Sequence, residues 1–293
     1  MQLIRTIAAA LLVLTSAVSL AQNADDKIIV SGASGNVGGL AVRALLDRGV
    51  PASRLILVSR TPDELAEFAA MGASTRFGDF TQPESLPEAY AGGKRMLLIS
   101  IGGGNFSVPR PELHKRAIDA AIAAGVEHIV YTSWAAISRG ETGGISADHV
   151  ATENILKQSD VAWTLLRNSV YMDGLPAQAR AMIDSGRATV SPNDTGMGYV
   201  TRADCAEAAA AVLTTPGHEG KTYDITGPEL VGPREIAAAA AAVSGKDIEI
   251  VMGGASRGFG AGGLDFVSRD FETLTGRPAT SFRELLAQTL SER

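Results

Sequence analysis

The amino-acid sequence predicts an α/β fold, a doubly wound parallel sheet with helices on both faces. Three observations carry that expectation. Short apolar runs alternate with helix-compatible segments along the chain, and the first run passes through closely spaced glycines straight into a helix. The chain of 293 residues, 45% of them hydrophobic, is also long enough to bury a full α/β core, as one large domain or as a domain plus a small lobe.

The first strand is the β-branched run Ile28, Ile29 and Val30 after Lys27. Gly32, Gly35 and Gly38 follow in a GxxGxxG spacing, and a helical run starts at Val37. Glycines let the backbone reverse and come close to a ligand, while the unpaired N–H groups and positive end of a helix face an incoming anion. Strand, tight turn and helix in that order point to a dinucleotide whose pyrophosphate sits at the turn. The helix closes at Gly49, a C-terminal cap.

Residues 54–59 form a second apolar strand. Thr61, Pro62 and Glu64 then predict a helix opened by a Thr-x-x-Glu capping box and running to Gly72. A weaker third strand covers 74–77 and ends at Gly78 and Asp79, with a short helix over 83–91. Residues 96–100 read as a fourth buried strand before the glycine cluster 102–104, 109–124 as a helix closed by Gly125, and 128–133 as a fifth strand. Ligands of such a sheet lie across the carboxyl ends of its strands.

The second half continues the alternation. A helix over 147–158 leads to a strand over 162–167 and then to Asn168, Ser169, Val170 and Tyr171. A helix over 201–213 carries a Thr-x-x-Asp capping box, 221–226 is a strand, and 234–243 is an alanine-rich packing helix. A strand over 248–251, a glycine-rich connector over 253–263 and helices over 264–275 and 281–290 complete the chain, which shows no repeat.

Charge and composition exclude some functions. With 26 Lys and Arg against 32 Asp and Glu, the net charge of −6 offers no general nucleic-acid surface. Cys205, the single cysteine, can form no internal disulfide and reads as a packed side chain. Residues 1–21 have the layout of a secretory signal peptide: Arg5, an apolar stretch over 7–18, and small residues ending at Ala21. That stretch is too short for a comfortable membrane span, so no stable span is expected after processing. Export is therefore expected if the leader is cleaved, with a start near Lys27 in the cytoplasm as the alternative. A mature start at Gln22 in N-terminal sequencing would mark export.

The second strand bears on the form of the dinucleotide. An acidic residue at its end would bind a ribose 2′-hydroxyl and repel a 2′-phosphate. The chain has Ser59, Arg60 and Thr61 there, and Arg60 can grip a 2′-phosphate, so NADP(H) is expected over NAD(H). The catalytic face is harder to read. No tyrosine and lysine stand four apart on the helix after the fifth strand; His149 and Glu153 do, below Ser133. His149 is the candidate proton donor near neutral pH, against a plain surface His-Glu pair. His114, His128 and His218 show no metal-ligand spacing, so no metal is expected, and Ser34 lacks the GxSxG context of a hydrolase.

GASGNVGG, MLLIS, HKRAIDAAIAAGVEHIVYTS, ADHVATENIL, WTLLRNSVY and YVTRADCAEAAAAV together resemble the NmrA-like atypical short-chain dehydrogenases, within that group the bacterial type 2 NAD(P)H:quinone oxidoreductases. The resemblance covers about 27–290. It implies one Rossmann domain over 27–293 with a small C-terminal substrate lobe drawn from parts of 170–200 and 228–293. It also implies hydride transfer from NADPH to a quinone-like or carbonyl acceptor, without flavin, and is compatible with a homodimer.

Carried over by position, the resemblance places Gly32, Ala33, Ser34, Gly35, Asn36, Val37 and Gly38 at the pyrophosphate and Arg60 at the 2′-phosphate. Asp79 and Phe80 fall on the adenine side, and Ser100, Ile101 and Gly102 along the ribose path. Thr132 and Ser133, with Asn168, Ser169, Val170 and Tyr171, surround the nicotinamide, Ser133 and Tyr171 joining His149 as catalytic candidates. Two departures stand out: the leader, and a segment over 251–263 shorter than the one that helps cover the pocket in such reductases. They keep two other readings open, a non-catalytic dinucleotide sensor and an exported protein that kept the fold and lost the nucleotide.

Overall fold

In the computed structural model, which describes residues 26–102, 107–253 and 263–291, the strands are β1 (Ile28–Ser31), β2 (Leu55–Ser59), β3 (Ser74–Phe77), β4 (Arg95–Leu98), β5 (His128–Trp134), β6 (Ala162–Asn168), β7 (Arg187–Val190), β8 (Lys221–Ile225) and β9 (Glu249–Met252). Seven of them form one all-parallel sheet in the order β3-β2-β1-β4-β5-β6-β8. This is the doubly wound sheet expected from the alternation. β1 and β2 are buried along their whole length, as strands covered on both faces must be.

Period-two alternation sends successive side chains into two separate cores. Ile28, Val30, Leu57 and Leu97 face helices α1 (Asn36–Asp47) and α7 (Arg202–Thr214), where Ala41, Val42 and Leu45 meet Ala206, Ala209 and Ala210. The small alanines let the two helices lie close. Ile29, Ile56, Met96 and Tyr131 face the other side, toward α3 (Leu86–Tyr90), α4 (Arg110–Ala123) and α5 (Ile145–Gln158). Burying each large aliphatic side chain contributes roughly 1.5–3 kcal/mol, so the paired cores dominate the stability.

A third apolar cluster lies away from the main sheet. Leu175 and Ala179 of α6 (Leu175–Ser185), Ile236 and Ala240 of α8 (Pro233–Ser244), and Phe282 and Leu286 of α10 (Phe282–Ser291) pack together beside the parallel pair β7-β9. These segments follow β6 and β8, which are neighbours in the sheet. The tail is tied back to α7: Asp204, fully buried, accepts from the Thr280 backbone N–H at 2.9 Å and from Arg277 at 2.8 Å. Thr201 caps the same helix, accepting from the Asp204 N–H at 2.9 Å.

Several local expectations need correction. The Thr61 capping box does not form: a 3₁₀ turn over Pro62–Leu65 precedes the short helix α2 (Ala66–Ala70), and the Thr61 hydroxyl turns toward Ser59. Residues 264–269 are not helical, and α9 spans only Asp270–Thr275. The Gly198 N–H bonds the Leu264 carbonyl and the Ser268 N–H bonds the Thr226 hydroxyl, so long-range contacts take the backbone groups a helix would need. Helix α6 and strand β7 are additions. The leader over 1–21 and most of the 253–263 connector lie outside the described residues. Among the described residues no helix is long and apolar enough to cross a membrane.

Candidate functional site

The chain builds β1, β2 and β3 outward on one side and then crosses back to place β4 on the other side of β1. Crossovers on opposite faces leave a crevice at the carboxyl ends of the strands at such a reversal. A cleft of about 720 Å³ opens there, lined by Ser31, Gly32, Ser34 and Gly35 after β1, Ser59 to Thr61 after β2, Gly78 to Thr81 after β3, and Ile99 to Gly102 after β4.

The first turn is built by glycine. Gly32 has φ +90°, a conformation few side chains adopt, and a Cβ on Gly38 would lie 2.1 Å from the Gly32 carbonyl oxygen. Helix α1 therefore rests directly on the turn that precedes it. Gly35 is its N-cap, with no side-chain cap and no acidic residue in the first turn. That leaves the positive helix end without a side-chain cap or a first-turn carboxylate, open to an anion. Ala33 and Val37 are buried beneath the turn, while Ser34, Gly35 and Asn36 are exposed on it.

At the end of β2, Ser34 and Ser59 share a hydrogen bond of 2.7 Å between their hydroxyls, and Thr61 lies 3.3 Å from Ser59 and 3.4 Å from Ser34. Arg60 is exposed beside this hydroxyl trio. Across the cleft, the Asp79 carboxylate is already engaged, accepting from the backbone and hydroxyl of Thr81 at 2.9 Å each. Phe80 is buried, its ring edge-on to His114. Ser100 is held by the Thr132 hydroxyl, which accepts the Ser100 N–H at 2.8 Å.

The catalytic face departs from the sequence reading. His149 and Glu153 are both buried, and they do not form a surface pair. The Nδ1 atom of His149 lies 2.9 Å from the Tyr131 hydroxyl, and burial pulls the ring down to about 4, with the Arg110 charge acting the same way. A ring lowered this far is neutral near pH 7 and carries no extra proton to donate, unlike the proton donor His149 was a candidate for. Ser133 donates to Glu153 at 2.7 Å, and Glu153 also takes a two-point contact from Arg167 at 2.8 and 2.7 Å and Lys157 at 3.0 Å. Burial raises the Glu153 carboxyl, but these donors prevail and hold it below its ordinary value.

Tyr171 lies under the Arg202 guanidinium, 4.4 Å from the ring centre, and burial holds its phenol well above the usual range. At the end of β6 the Asn168 amide and the Ser169 hydroxyl are buried with no hydrogen-bond partner among the described residues. Burying such atoms unpaired costs about 1–3 kcal/mol each. Val170, partly buried, packs beside Trp134 and Met197. No cluster of metal-ligating side chains occurs among the described residues.

Sequence reasoning missed Ser59 and Thr61 as cleft residues, and Arg110 and His114 as partners of the 101 backbone, considered below. A hydroxyl on either side of Arg60 was the available signal for the first pair. Nothing local signals the second.

Comparison with known proteins agrees with this geometry. The family described as NAD(P)H-binding matches residues 32–216. Quinone oxidoreductase 2 of Escherichia coli (strain K12) is 34% identical over 223 residues, covering 75% of this chain and 76% of the relative. NAD(P)H azoreductase of Xenophilus azovorans is 28% identical over 225 residues, 76% of each chain. The crystal structure of triphenylmethane reductase from Citrobacter sp. complexed with NADP(H) superposes with a TM-score of 0.81 at 30% identity, over 89% of this chain and 99% of that one.

Proposed function

The chain belongs to the NAD(P)H-binding family, and from that membership we propose that it is an NADPH-dependent oxidoreductase acting on a quinone-like or carbonyl small molecule. One observation carries the reading: the crevice at the reversal of strand order has an uncapped helix start at its floor and a guanidinium with three hydroxyls at its far end.

The turn from Gly32 to Gly38 would receive the pyrophosphate at the start of α1, the N–H groups of Gly32, Ala33 and Gly35 being already bonded to the Val58 and Gly32 carbonyls, and Arg60 with Ser34, Ser59 and Thr61 would take the 2′-phosphate. Asp79 and Phe80 close the adenine side. Ser100, Ile101 and Gly102 form the wall along the ribose, and Thr132 fixes that wall through Ser100. The unpaired Asn168 and Ser169, with Val170 and Tyr171, border the nicotinamide end. When bound, the reduced dinucleotide supplies a hydride. The protein's own part is orientation, because its buried groups are committed elsewhere: the His149 ring is neutral, Ser133 serves Glu153, and Tyr171 keeps its phenol proton. The proton that completes a reduced acceptor then comes from solvent. Export through a leader ending at Ala21 is our reading of its compartment, carried by sequence alone.

Steady-state oxidation of NADPH with small quinones tests the proposal. Turnover with NADPH, and slower turnover with NADH, is expected. The locked Ser133 and neutral His149 favour a second reading, a dinucleotide sensor without catalysis. Tight NADPH binding with no turnover across a quinone and carbonyl panel would select it.

A further inference from the structure

After Leu98 the β4 strand ends, and the ladder that satisfied its backbone closes with the Ile99 N–H on the Ser31 carbonyl at 3.4 Å. The next two residues line the cleft yet have no strand to bond. Side chains supply the partners instead. The Ser100 N–H goes to Thr132, the Ile101 N–H donates to Nε2 of His114 at 3.1 Å, and the Ile101 carbonyl accepts from Nε and Nη2 of Arg110 at 3.1 and 2.7 Å. Arg110 and His114 stand four apart, on one face of α4.

Both are themselves fixed. The remaining donor of Arg110, Nη1, meets the Asp148 carboxylate at 3.1 Å. The Thr152 hydroxyl gives its hydrogen to the Asp148 backbone carbonyl at 2.9 Å, so at 3.0 Å it can only accept from Nδ1 of His114. That sets the tautomer: Nδ1 carries the hydrogen, and Nε2 is left as the acceptor the Ile101 N–H requires. The rings of Phe80 and Tyr131 stand edge-on to the imidazole and hold its plane. His114 is fully buried, so the network is interior and not a solvated face.

We infer that Arg110 and His114 are positioning residues for the dinucleotide, gripping Ile101 by both its N–H and its carbonyl so that the wall over 100–102 stands ready before the cofactor arrives. The inference rests on the cofactor reading above. A preset wall lowers the ordering cost of binding, so loosening it weakens affinity first.

A matched pair of variants tests this. In His114→Gln the side-chain oxygen reaches the place of Nε2 and keeps the acceptor for Ile101; in His114→Asn it reaches only as far as Nδ1 and loses it. Both disturb the buried packing, so a merely structural role would move them together. NADPH titration followed by nicotinamide fluorescence is expected to give a Kd within about twofold of the parent for His114→Gln and about tenfold weaker for His114→Asn. Arg110→Lys, which keeps the charge facing Asp148 but not the fork on Ile101, is expected to weaken binding likewise, and it carries the test if His114→Asn fails to fold. In turnover, KM for NADPH should rise with Kd while kcat changes less. Equal Kd for the two histidine variants, or an unchanged Kd for Arg110→Lys, overturns the inference. Absence of NADPH binding by the parent protein instead removes the cofactor reading, and this inference with it.

Discussion

On the function proposed above, the choice of coenzyme turns on Arg60. It is exposed at the end of β2, beside the linked hydroxyls of Ser34, Ser59 and Thr61. A charge-assisted contact is worth about 1.5–3 kcal/mol when dry, and solvent screening reduces that at an exposed position. Arg60→Ala should therefore weaken NADPH binding by roughly tenfold and leave NADH binding within about twofold. Equal losses for both coenzymes in titration would show that Arg60 does not read the 2′-phosphate. The place of the arginine in the cleft was legible in the sequence because it depends on one position at a strand end. The hydroxyls around it were not, since Thr61 followed by Glu64 has the local signature of a helix cap. Its hydroxyl instead forms a contact with Ser34, 27 residues earlier. The setting of His149 was hidden for a related reason: spacing puts it on the helix after the fifth strand, but only the packing shows that burial and the Arg110 charge pull its ring down, with the Tyr131 hydroxyl 2.9 Å away.

At the scale of elements, α4, β5 and α5 each bury a histidine. Burial drives His114 down to about 3 and His128 and His149 down to about 4, against an ordinary value of 6.5. The unfolded chain then binds more protons than the folded one below about pH 6.5, so stability falls as pH falls through that point and toward 4. Asp224, whose carboxyl is raised by burial, works in the opposite direction but is one group against three. The melting temperature should be at least several degrees lower at pH 5 than at pH 7.5. An equal or higher value at pH 5 would contradict the neutral burial of these rings. The inner strands of the main sheet were readable because they are largely buried and mostly apolar; the edge strands β3 and β8 are polar and partly exposed, so only their place in the alternation of strand and helix marked them. Helix α6 and strand β7 were not readable, because β7 pairs with β9, about 60 residues later, and neither strand is apolar on both faces. The residues over 264–269 were expected to be helical, yet contacts to Gly198 and Thr226 engage their backbone outside a helix.

The whole molecule brings these scales together at the reversal of strand order between β1 and β4. Two apolar cores clamp the sheet from both faces, so the loops after β1, β2 and β4 are held at fixed separations around one crevice. The cluster of α6, α8 and α10 hangs from the ends of β6 and β8, next to the unpaired Asn168 and Ser169. On the function proposed above, cofactor site and acceptor side belong to different parts of the chain, and the sequence is most explicit about the first. Equilibrium titration of the purified protein with NADPH and with NADH reaches the central claim most directly. Saturable binding of one equivalent per chain, tighter for NADPH, is the expected result; no saturable binding of either coenzyme would contradict the account.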